Sequence, residues 1–91
     1  MVVEEFIRRR FPIDNRWLDV NCYWFAAILA HRFPQLDIYY LPIEGHFVAG
    51  DGEIFYDWLG RKNLNEIPQK LDTIRTQDPI WYSRLVRDCI N

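Results

Sequence analysis

Residues 21–60, NCYWFAAILAHRFPQLDIYYLPIEGHFVAGDGEIFYDWLG, decide the fold. The first part, from Asn21 to Phe33, reads as a helix. Asp19 or Asn21 can cap its start with a side-chain oxygen, and Pro34, which lacks an N–H, ends it. From Tyr23 to Ala30 the helix is apolar nearly all the way round, the pattern of a helix buried on every side. Ala26, Ala27 and Ala30 let neighbouring elements come close. After Pro34 the residues become strand formers, first in Asp37-Ile38-Tyr39-Tyr40-Leu41-Pro42. Glu44-Gly45 breaks the run. His46-Phe47-Val48-Ala49 and Ile54-Phe55-Tyr56-Asp57-Trp58 then flank Gly50-Asp51-Gly52-Glu53. Asp-Gly between two apolar runs predicts a two-residue hairpin turn at 51 and 52, with positive φ at both positions. In that register position 50 pairs with 53, 49 with 54 and 48 with 55, and His46 falls opposite Asp57. Gly60 closes the block.

Working outward, Val3, Phe6, Ile7 and Arg10 follow helical spacing within Val2–Phe11, and Pro12 stops that helix. Pro12 to Val20 reads as an ordered loop anchored by Ile13, Trp17 and Leu18. Beyond Gly60 the pattern is weaker. Ile67-Pro68 interrupts any helix, and Leu71 and Ile74 mark a short helical piece. Asp78-Pro79 is an N-cap and first-position pair. Ile80, Trp81, Leu85, Val86, Cys89 and Ile90 follow as an amphipathic stripe. This order predicts an α+β fold: a buried central helix on a small antiparallel sheet, with flanking N- and C-terminal helices.

The 91 residues are expected to form a single domain, 1–91. The chain is 49% hydrophobic and 16% aromatic, which excludes an intrinsically disordered composition. Eleven Lys and Arg against 13 Asp and Glu leave a net charge of −2, without the basic footprint of a nucleic-acid binder. No apolar run reaches the ~18–20 residues of a membrane span, and residues 1–10 lack the pattern of a secretory signal, so no membrane partner is expected. Two cysteines are too few for the disulfide framework of a small secreted scaffold, and the expected compartment is the cytoplasm. Arg8-Arg9-Arg10 reads as a solvated face paired with Glu4 and Glu5 one turn away. The aromatic residues exceed what one small core easily hides, so a partner or a second copy can cover the surplus in a homodimer.

Three residues form a chemical constellation. Cys22 lies at the start of the central helix, where the dipole and unpaired N–H groups favour the thiolate. The same N–H groups can form an oxyanion hole. His46 and Asp57, paired across the hairpin, place a carboxylate beside an imidazole. The carboxylate fixes the tautomer and leaves the other nitrogen to face a thiol. The pattern is nucleophile, base and orienter. Cys89 and the helix-terminal His31 read as core and surface residues. Cys22, His31, His46 and Cys89 lack the paired spacing of a zinc site, so neither a metal nor a cofactor is expected.

The order and placement of Cys22, His46 and Asp57 resemble the papain-like superfamily in its transglutaminase-like and NlpC/P60-like branches, over roughly residues 21–60. The chain also resembles a group of small bacterial and phage-type proteins that carry an Asn-Cys-Tyr-Trp-Phe-Ala segment, a His-Phe strand and a Tyr-Asp-Trp strand. The first resemblance implies a thiol-dependent acyl transferase or amide hydrolase, with Cys22, His46 and Asp57 catalytic; the substrate is not readable, and a protein or peptide is open as either substrate or partner. It departs from the papain-like pattern in the oxyanion donor. No Gln precedes Cys22, position 16 is Arg, and Asn15 and Asn21 are the candidates left. The alternative is a non-catalytic protein-binding module, a phage or mobile-element accessory protein that retains the papain-like scaffold.

Overall fold

The computed structural model describes residues 2–11 and 22–90, with the side chains of Cys89 and Ile90 left out. The loop expected over 12–20, the caps Asp19 and Asn21, and the oxyanion candidates Asn15 and Asn21 lie outside the described residues. Helix α1 is Val3–Arg10 and buries Val3, Phe6 and Ile7. Its acidic first turn and basic last turn both complement the helix dipole, and Glu5 pairs with Arg9 at 3.1 Å one turn on. Helix α2, Cys22–Arg32, is the central helix, and it buries Cys22, Phe25, Ala26 and Leu29. The expectation of burial on every side does not hold. Trp24 is 47% exposed and Ile28 is exposed beside it, because only one side of α2 meets the sheet. All-round apolarity here records one buried face and one exposed apolar face.

Five strands follow: β1 Asp37–Leu41, β2 His46–Gly50, β3 Phe55–Asp57, β4 Gly60–Lys62 and β5 Gln69–Lys70. They form one sheet in the order β4-β3-β2-β1-β5, with antiparallel pairing throughout. The chain ends with α3, Leu71–Gln77, and α4, Pro79–Ile90. Asp78 caps α4 as expected, accepting the Trp81 N–H at 3.1 Å. The inward stripe of α4 begins later than read, since Ile80 is exposed while Tyr82 and Leu85 pack on the core. This is the predicted α+β architecture, with more sheet than the sequence signalled. Strands β4 and β5 contain no run of strand formers, and their sheet neighbours determine them.

The pleat assigns each strand residue to a face. Ile38, Tyr40, Phe47, Ala49 and Tyr56 join α1, α2 and Leu71 in the larger apolar cluster. Tyr23 of α2 seats on Phe47, with ring centroids 5.4 Å apart, so the first turn of α2 docks at the start of β2. Leu41, Val48 and Phe55 form a smaller cluster with Tyr39 and Leu64 on the opposite face. Phe55 lies across from Gly50, where a Cβ would overlap its ring.

The β2–β3 connection differs from the predicted turn. Only glycines have positive φ among the described residues, Gly52 at 101°, so Asp51 cannot take its place in a type I′ turn. Asp51 instead accepts the N–H groups of Glu53 and Ile54 on Oδ1, at 2.9 and 2.8 Å. This side-chain cap favours a four-residue loop, 51–54. The register becomes Ala49 opposite Tyr56 and Gly50 opposite Phe55, two residues from the predicted one. Extended along the strands, it sets Val48 opposite Asp57. A slip of two preserves the pleat, so His46 and Asp57 still share a face, now as diagonal neighbours.

Candidate functional site

His46 opens β2 and Asp57 closes β3. Both are only 8% exposed, and they are the two buried polar residues of the described chain. Together they line an open cleft of about 520 Å3 with Glu44, Gly45, Trp58, Leu59 and Lys62. Asp57 is fixed by the tight β3–β4 turn: its Oδ1 accepts the Leu59 N–H at 2.9 Å, and Asp57 pairs with Gly60, whose φ of 113° completes the reversal. Trp58 meets the His46 ring edge to face at 5.5 Å.

Burial pushes the His46 imidazole below its ordinary pKa, opposed by the nearby Asp57 carboxylate. Lys62 adds to the lowering and Glu44 opposes it. The ring is therefore neutral near pH 7 and able to accept a proton. Its Nε2 is sealed from solvent and has no hydrogen-bond partner. A buried polar atom left without a partner costs about 1–3 kcal/mol, and native structures keep few of them.

Cys22 is placed differently. It is the first residue of α2, as the sequence implied, but it is 3% exposed and belongs to the apolar cluster that also holds Phe25, Phe47 and Trp58. It does not line the cleft. Strand alternation turns His46 and Asp57 to the face opposite Phe47, while Cys22 stays with α2 on the Phe47 side. The fold thus brings His46 and Asp57 together, and sets Cys22 at the same end of the sheet on its other face. Trp58 is the one side chain shared by the cleft and the Cys22 cluster.

Sequence reading missed Glu44, Lys62 and Glu66. Glu44 and Lys62 pair at 3.1 Å at the cleft. The Glu66 carboxylate accepts the backbone N–H groups of Ile43 and Glu44, at 2.8 and 3.0 Å, and so holds the turn that leads into His46. No local pattern marks these residues, because their roles come from the pairing of β4 and the course of the loop after it. His31 is exposed at the end of α2, as its position implied. Among the described residues, no three His, Cys, Asp or Glu side chains gather to hold a metal, and no helix is long and apolar enough to cross a membrane.

Fold and site together define a small α+β protein with helices on one face of an antiparallel sheet and a buried His–Asp pair in a cleft at the strand ends. Over residues 5–88 the chain matches the model of the family described as Phage YunG-like protein, and it belongs to that family. This supports its resemblance to small phage-type proteins. Comparison with curated proteins and with solved structures found no match.

Proposed function

We propose that the protein is a thiol-dependent acyl transferase or amide hydrolase of papain-like type, in which Cys22 is the nucleophile, His46 the base and Asp57 the orienting carboxylate. The observation that carries this reading is the buried, unpartnered Nε2 of a neutral His46 beside Asp57. A nitrogen kept free at a structural cost is suited to proton transfer. The docking of Tyr23 on Phe47 sets Cys22 and His46 at the same end of the sheet, on opposite faces. In the proposed reaction the Cys22 proton passes to His46, and sulfur attacks the carbonyl carbon of an amide. The C–N bond breaks, and the leaving amine takes the proton from the imidazole. Water or an acceptor amine then cleaves the thioester. Asn15 and Asn21 are the oxyanion donors proposed from the chain order. For sulfur to meet substrate, the Cys22 cluster has to open toward the cleft.

Incubation with an activated acyl ester, followed by intact mass and peptide mapping, tests this. The expected product is one acyl group on Cys22, lost in Cys22→Ser and slowed in His46→Ala. Acylation elsewhere, or at the same rate in His46→Ala, refutes it. A second reading has its own observation: the burial of Cys22 away from the cleft favours a non-catalytic protein-binding module that retains the scaffold.

A further inference from the structure

We infer that the cleft is a binding site for a basic group, an ammonium or guanidinium of the kind borne by lysine and arginine side chains, with Glu44 as its acceptor. The inference goes beyond the thiol reading and uses no step performed by Cys22. Charge is the first observation. The side chains lining the cleft include two carboxylates, Glu44 and Asp57, against one ammonium, Lys62. An excess of one sign in a concave site concentrates the opposite charge there. The second is the mounting of Glu44. Glu66 fixes the turn through the backbone N–H groups of Ile43 and Glu44, and so holds the residue whose side chain lines the cleft. The third is an internal stand-in. Lys62 Nζ already lies 3.1 Å from Glu44 Oε1, so the geometry at Glu44 accepts an ammonium. Both side chains are partly exposed, and an ion pair of that kind is weakly held and open to exchange. A ligand cation would take the place of Lys62 on Glu44, with Asp57 adding the second negative charge.

Nα-acetyl-lysine methylamide is the probe, and Nα-acetyl-norleucine methylamide is the uncharged control. Binding and the titration of the His46 ring protons are followed by NMR on the full chain. The lysine compound is expected to bind and to shift the His46 ring resonances with little change in the His46 pKa, since its ammonium replaces that of Lys62, which already lowers it. Glu44→Gln should weaken binding about tenfold or more, in line with loss of a charge-assisted hydrogen bond. Lys62→Met should strengthen it several-fold by removing the internal competitor. Equal binding of the norleucine compound, unchanged affinity in Glu44→Gln, or no binding by Lys62→Met overturns the inference. The same titration in Cys22→Ser separates this outcome from failure of the thiol reading, because the cleft is expected to bind the probe without the sulfur.

Discussion

His46 is buried where it lines the cleft, and its burial links it to stability. Its folded pKa lies below the unfolded value of about 6.5. As pH falls below that value, the unfolded chain takes up a proton that the folded chain refuses. Stability from this residue is therefore complete above the unfolded pKa and declines as pH drops toward the folded one. Urea unfolding of the wild type and of His46→Gln across this range should show a fall for the wild type that is reduced in the variant. Equal slopes would contradict the burial of the imidazole. The sequence revealed His46 and Asp57 because the Asp51-Gly52 hairpin brings these two polar residues at apolar strand ends to one face. It concealed Lys62 and Glu66, whose polar surroundings resemble any surface segment.

At the level of elements, the hairpin explains both the success and the error of the sequence reading. The apolar runs and Asp51-Gly52 located the reversal correctly. The turn type was misjudged because Asp51 has two local options, left-handed backbone or a side-chain cap, and the cap prevailed. Two N–H groups, of Ile54 and Glu53, hold the Asp51 carboxyl below the usual range. Its contribution to the loop is thus present above the unfolded carboxylate pKa and is lost as pH falls through the lower folded one. Hydrogen exchange at Glu53 and Ile54 should accelerate in Asp51→Ala and remain close to wild type in Asp51→Asn, compared at neutral pH. Protection that survives Asp51→Ala would show that the loop holds without its cap. The central helix makes a related point. Its boundaries were legible from Pro34 and the apolar run, but its exposed face was not, since composition cannot tell a helix enclosed by protein from one that carries apolar residues to the surface.

For the whole molecule, stability rests on the cluster between the helices and one face of the sheet. Leu29 is fully buried there. Leu29→Ala should cost about 2–5 kcal/mol, a large share of the ~5–15 kcal/mol typical of a folded domain. The urea midpoint checks this, and a change well under ~1 kcal/mol would mean that the cluster is not the main core. Chain size also explains the exposed aromatics. A fold of this length cannot cover all its rings, and Trp24 and Trp81 remain partly exposed beside Ile28 and Ile80. The composition signalled that surplus, but not which residues would carry it.

The central claim is that the proposed nucleophile Cys22 and base His46 act as one unit at the start of β2. The pH profile of Cys22 alkylation in folded protein, with Cys89→Ser in the background, tests it most directly. The account predicts reaction governed by a thiolate pKa well below the ~8.5 of a free thiol, returning toward that value in His46→Ala. A profile near ~8.5 that ignores His46→Ala, or a sulfur that reacts only when the protein unfolds, would contradict it.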